Sequence, residues 1–149
     1  MDAPKKLLFI CSGNVCRSTM AELLWGKMAA DRGLRLEARS CGTHADSSVE
    51  VPEGIWRVMR EMGVPRRPHT PRLVSEDLLS WADAALTMTR GQRKSLAGRF
   101  PVFSSKLAAL RPYAGLPDGE IDDPTTDETA YGPCRDRIHE ALARLLTRY

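Results

Sequence analysis

The run Leu7-Leu8-Phe9-Ile10 is apolar at every position and passes directly into Cys11-Ser12-Gly13-Asn14-Val15-Cys16-Arg17-Ser18, after which apolar residues recur at helical spacing. A strand with no polar face is buried on both sides, the usual condition of a strand in a parallel sheet covered by helices. A strand that feeds a helix through a short loop is the opening of a β-α-β unit, so this stretch commits the N-terminus to an α/β fold. It also forms a site. The N–H groups of such a loop converge on an anion, and the positive end of the helix dipole reinforces them. Cys11 stands at the floor of the loop, Gly13 and Asn14 are the residues able to turn the chain through positive φ, and Arg17 closes the ring. The layout is that of a thiolate nucleophile in a phosphate cradle. An arginine six residues after a cysteine also arises by chance, and the commonest fate of a free cysteine is plain burial. The apolar run before the pair and the helical pattern after it are what separate the two readings.

The remaining pattern alternates strands with helices. Lys5 to Cys11 reads as the first strand, followed by a helix opening at Ser18 or Thr19 and ending near Gly33. Leu34 to Cys41 alternates as a half-covered strand, Gly42 to Ser48 is a polar loop, and a helix from Pro52 stops at Gly63 and Pro65. Ser75 to Ser80 is a short helical piece, Asp83 to Met88 a third strand, Arg90 to Ala97 a helix and Pro101 to Ser104 a fourth strand. Arg111 to Asp127, dense in Pro, Gly and Asp, reads as loop. A last helix carries Ile138, Ala141, Leu142 and Leu145 on one face, with its start broken or kinked by Gly132-Pro133. Trp25, Trp56 and Trp81 fall at helical positions suited to the core. The expected architecture is one doubly wound domain spanning residues 1–149, with a four-stranded parallel sheet flanked by helices and its ligand site at the carboxyl ends of the strands.

A chain of 149 residues is long enough to bury a substantial core. A net charge of +3, with 22 basic residues spread among 19 acidic ones, implies no nucleic-acid partner but favours an anionic substrate. No apolar run approaches the roughly 18 residues of a membrane span, and the N-terminus lacks a signal-peptide pattern, so a cytoplasmic location without membrane association is expected. The four cysteines, at 11, 16, 41 and 134, make no C-x-x-C pair and no zinc pattern. Free thiols and no cysteine-held metal are therefore expected; no cofactor and a monomer are expected as well. Cys11 and Cys16 share a loop, so oxidation of Cys11 is expected to bring Cys16 to it as a protecting disulfide.

Displacing an alcohol from phosphate requires a proton donor for the leaving oxygen, and a carboxylic acid on a long loop is the natural one. Asp123, in Glu120-Ile121-Asp122-Asp123-Pro124, is the candidate. Ile10-Cys11-Ser12-Gly13-Asn14-Val15-Cys16-Arg17-Ser18-Thr19-Met20-Ala21-Glu22 together with Asp123-Pro124 resembles the low-molecular-weight protein tyrosine phosphatase family over the whole chain. The resemblance implies hydrolysis of phosphotyrosine in protein or peptide substrates in two metal-free steps. Cys11 is then the nucleophile that becomes a phosphocysteine, Arg17 binds the phosphoryl oxygens, and Asp123 is first acid and then base. Ser12, Gly13, Asn14, Val15 and Cys16 would line the phosphate, Ser18 would donate to the sulfur, and Ser40 and His69 would support Asn14.

The sequence departs from that family at two places. Thr125 and Thr126 stand where the family usually places Tyr or Phe, so an aromatic wall of the substrate slot is missing. Val15 is apolar like the Ile of tyrosine-specific members and lacks the hydroxyl of the Thr found in the related protein arginine phosphatases, whereas Ala85 to Arg90 and Phe100 to Phe103 look more like that branch. Phosphotyrosine is the reading favoured by position 15, with phosphoarginine as the alternative. An arsenate reductase needs two further relay cysteines, and none lies between Cys41 and Cys134. A non-catalytic phosphate-binding module would need neither Cys11 nor Asp123.

Overall fold

In a computed structural model, which describes residues 3–149, the apolar run forms β1 (Lys6–Cys11), and Leu7 to Ile10 have no exposed surface. It pairs in parallel with β2 (Glu37–Gly42) on one side and β3 (Ala84–Thr87) on the other, and β3 pairs with β4 (Leu107–Ala109). The sheet order is β2-β1-β3-β4, all parallel, as the alternation of elements predicts. Successive side chains of β1 point to opposite faces. Leu7 and Phe9 join the core beneath α1 (Arg17–Asp31), α2 (Glu53–Arg60) and α6 (Glu128–Leu146). Leu8 and Ile10 join a smaller core beneath α3 (Glu76–Trp81) and α4 (Arg90–Arg99). Among the described residues no helix is long and apolar enough to cross a membrane.

Register brings Cys11 opposite Gly42 at the carboxyl edge of the sheet. The pairing continues past the strands, with Thr43 N–H donating to the Cys11 carbonyl and His44 N–H to the Ser12 carbonyl, each at 2.9 Å. A Cβ at Gly42 would lie 2.5 Å from the Ser12 carbonyl oxygen, so only glycine lets the loop after β1 pass this close.

Four expectations are corrected. Pro101 to Ser104 is not a strand but part of a 3-10 turn (Pro101–Lys106), because Pro101 has no N–H for a ladder and its fixed φ suits the start of a helical turn. The edge strand follows at Leu107–Ala109. Within the expected loop, Leu110–Tyr113 forms a short helix, α5, so irregular chain begins only at Ala114. The last helix begins at Glu128, capped by the Asp127 side chain, and runs through Pro133. The carbonyl of Thr129, which Pro133 cannot serve, lies on an exposed turn where water can satisfy it. Finally, Trp25 and Trp56 are core residues, but Trp81 is half-buried under the guanidinium of Arg39, 4.2 Å from its ring centre.

The segment after α5 is anchored before it reaches Asp123. Arg111, 2 % exposed, donates to Asp118 at 2.8 and 3.0 Å and to the Arg137 carbonyl at 2.9 Å, and it pairs with Glu140 at 2.7 Å. Arg111 in turn holds the Asp118 carboxyl below the usual carboxylate range. Ile121, fully buried, donates its N–H to the Met88 carbonyl at 3.0 Å. These contacts fix the loop against the end of β3.

Candidate active site

The loop between β1 and α1 turns on one residue. Asn14 has φ 57, and its side chain is satisfied on every side: Nδ2 donates to Ser18 Oγ at 2.8 Å and Ser40 Oγ at 2.9 Å, and Oδ1 accepts from Arg72 N–H at 3.1 Å. Asparagine is among the few side chains tolerated in the left-handed region, and these bonds hold it there. Of the two residues able to adopt positive φ, Gly13 and Asn14, only Asn14 does so. His69 Nε2 lies 2.7 Å from the Asn14 carbonyl and 3.3 Å from Thr19 Oγ1, and Thr19 Oγ1 donates to the same carbonyl at 3.1 Å. Ser40 and His69 therefore both meet Asn14.

The loop folds around the Cys11 sulfur. Ser18 Oγ lies 2.9 Å from Sγ, and Asn14 N–H donates to Sγ at 3.3 Å. Among the described residues the N–H groups of Gly13, Val15 and Cys16 have no protein acceptor, which leaves them free for an anion seated above the sulfur. Ser12 is held from outside the loop, its Oγ accepting from Gln92 Nε2 at 3.1 Å. Gln92 also accepts from the N–H groups of Met88 and Thr89 through Oε1, within a capping box that opens α4. The sequence Thr89-x-x-Gln92 carries that signal and identifies the cap, but nothing in it points to Ser12.

Arg17, 4 % exposed, reaches the acid loop. Its Nη1 donates to the Ile121 carbonyl at 2.9 Å, and Nη2 lies 3.7 Å from Asp123 Oδ2. Asp123 is half exposed, and its other oxygen accepts from Thr125 N–H at 2.9 Å. Thr125 itself has φ 51, an unusual conformation for a β-branched residue, and its carbonyl accepts from the buried Tyr131 hydroxyl at 3.3 Å. Tyr131 packs on Gly54 of α2, where a Cβ would come within 2.7 Å of the ring. It braces the acid loop from behind instead of lining the substrate slot.

Cys11, Gly13, Val15, Cys16, Arg17 and Asp123 line one cleft of about 240 Å³. Asn14 and Ser18 act from beneath it through the bonds above. Its outer wall consists of Val49, Glu50 and Pro52 on one side and Thr125 and Thr126 on the other, with no aromatic ring. The wall from Val49 to Pro52 was not foreseen from the sequence, because its residues carry no motif and reach the cleft only through the loop that follows β2. All four cysteines are free thiols. Burial pushes the Cys16 thiol up to about 12, with Cys11 and Asp123 adding to the effect and Arg17 opposing it. Burial likewise pushes Cys41 and Cys134 up to about 12. Among the described residues no three His, Cys, Asp or Glu side chains are grouped to hold a metal ion.

Residues 6–149 match the family described as low molecular weight phosphotyrosine protein phosphatase. The protein-arginine-phosphatase of Geobacillus stearothermophilus is 31% identical over 144 residues, covering 95% of this chain and 94% of its own. The low molecular weight protein-tyrosine-phosphatase Ptp of Acinetobacter johnsonii is 30% identical over 127 residues, covering 85% and 84%. Among solved structures, a mutant of the YwlE arginine phosphatase with a phosphorylated active-site serine superposes with a TM-score of 0.90 at 28% identity, covering 95% of this chain and 93% of that one. With the fold, the loop around Cys11 and the opposed Asp123 on the same scaffold, the chain belongs to the low molecular weight phosphotyrosine protein phosphatase family.

Proposed function

We propose that this chain hydrolyses phosphorylated protein side chains through a phosphocysteine on Cys11. The observation that carries this reading is that Cys11, Arg17 and Asp123 line one cleft, with Arg17 joined to the loop of Asp123. In the first step the Cys11 sulfur attacks phosphorus as the bond to the leaving atom breaks, and Asp123 supplies the proton that atom needs. The free N–H groups of the loop and the remaining donors of Arg17 hold the three phosphoryl oxygens as charge shifts among them. In the second step water attacks phosphorus, Asp123 takes its proton, and the P–S bond breaks. The Ser18 hydroxyl, 2.9 Å from Sγ, stabilises the sulfur as it leaves.

Phosphotyrosine is the substrate favoured by Val15, whose branched apolar side chain faces the cleft and offers no hydroxyl to a guanidinium. Phosphoarginine is a second reading, favoured by the outer wall: valine, proline and two threonines give a flat aromatic ring no partner to stack on. Kinetics of the wild type and Val15→Thr on phosphotyrosine and phosphoarginine peptides of matched sequence test this directly. Preference for phosphotyrosine that falls with Val15→Thr supports the first reading. A wild-type preference for phosphoarginine contradicts it.

A further inference from the structure

We propose that Glu50 makes the cleft selective for substrates that carry a positive charge beside the phosphoryl group; this rests on the phosphatase reading above. Glu50 lines the cleft of Cys11 and also the adjoining depression bordered by Trp56, Arg66 and Arg67. Among the described residues no cation pairs with it. Two arginines that share these cavities with it are engaged elsewhere, Arg17 with Asp123 and Arg66 with Glu53. Arg67 borders the same depression without reaching ion-pair distance.

The backbone at Glu50 is fixed on both sides. Asp46 accepts from Ser48 N–H at 2.9 Å and, through its carbonyl, from Val49 N–H at 3.1 Å, which staples the chain just before Glu50. Val51 is buried and Pro52 caps α2, which fixes the chain just after it. An unpaired carboxylate at the mouth of a phosphate cradle repels the phosphoryl dianion that the cradle is built to bind. That repulsion turns to attraction when the substrate brings a cation to the same place, so the residue penalises neutral and acidic substrates and favours basic ones. The cation has two possible sources. It is either the guanidinium of a phosphoarginine or a lysine or arginine flanking a phosphotyrosine.

The test compares wild type, Glu50→Gln and Glu50→Lys at low ionic strength on four peptides: phosphoarginine, and phosphotyrosine flanked by arginine, alanine or glutamate. Wild type is expected to turn over a cation-bearing peptide with kcat/KM about threefold or more above the alanine-flanked one, a gain suited to a solvent-exposed ion pair. Glu50→Gln removes that gain, Glu50→Lys inverts it, and salt weakens it. Loss confined to the phosphoarginine peptide identifies the phosphorylated side chain itself as the source, and loss confined to the arginine-flanked phosphotyrosine identifies the flank. Changes by one common factor on all four peptides overturn the proposal while leaving the phosphatase reading intact. Absence of turnover of every peptide by wild type overturns both.

Discussion

The guanidinium of Arg17 donates to the backbone carbonyl of Ile121 at 2.9 Å, so the loop around Cys11 and the loop of Asp123, the proposed acid, are joined across 104 residues of sequence. In the proposed mechanism a phosphate ligand and the loop of Asp123 depend on this same side chain. Arg17→Lys keeps the charge but loses the planar fork that serves phosphate and carbonyl together. Turnover of p-nitrophenyl phosphate is expected to fall by about 10²- to 10³-fold, with circular dichroism unchanged. A loss smaller than tenfold would contradict the double role.

Asn14 holds the cradle in its left-handed turn through three side-chain bonds, to Ser18, Ser40 and Arg72. Asn14→Ala removes all three, leaves two buried hydroxyls short of a partner and places an alanine at positive φ. Urea unfolding should show a loss of about 2–4 kcal/mol, together with a marked fall in kcat. Full stability with unchanged kcat would show that the turn is held by the surrounding backbone alone.

Tyr131 is expected to act on the proposed chemistry at one remove. Its hydroxyl bonds the Thr125 carbonyl, and Thr125 N–H bonds Asp123, so Tyr131→Phe loosens the acid while keeping the ring on Gly54. The expected result is a severalfold loss of kcat/KM on aryl phosphates with poor leaving groups, little loss on good ones, and an unchanged melting temperature. Equal losses across the series would make Tyr131 merely structural.

The raised thiols predict selective alkylation. Thiols pushed up to about 12 keep their protons well above neutral pH, so at pH 7 Cys16, Cys41 and Cys134 are almost wholly protonated and weak nucleophiles. Iodoacetamide at pH 7 should therefore modify Cys11 first, and peptide mapping should find Cys16 modified only as the pH is raised. The same burial slows attack by Cys16 on an oxidised Cys11, so a protecting disulfide between them should form faster at high pH. Comparable labelling of Cys11 and Cys16 at pH 7 would contradict this account.

The first strand and the cradle were legible because their chemistry is local. The run Leu7 to Ile10 declares burial, and Cys11 to Ser18 contains nearly every contact made by the sulfur. The fourth strand was misplaced because Leu107–Ala109 is three residues long and owes its form to pairing with β3, which no local pattern records. Gly132-Pro133 misled for a related reason: the packing of Ile138, Ala141, Leu142 and Leu145 carries the helix through a residue that would break an isolated one. Asp123 was singled out by what the proposed chemistry demands, whereas the residues that position its loop were not. Gln92, Tyr131 and the Ile121 carbonyl reach the site through tertiary contacts between ordinary residues. Glu50 is one of 19 acidic residues, and only the folded loop sets it at the mouth of the cleft.

The most direct test of the central claim is to trap the intermediate. Asp123→Asn, mixed with p-nitrophenyl phosphate and quenched in acid, should yield a phosphoryl adduct mapped by mass spectrometry to Cys11. Cys11→Ser should show neither cysteine adduct nor turnover. An adduct of the Asp123→Asn protein at any position other than 11, or sustained turnover by Cys11→Ser, would contradict hydrolysis through a phosphocysteine at this site.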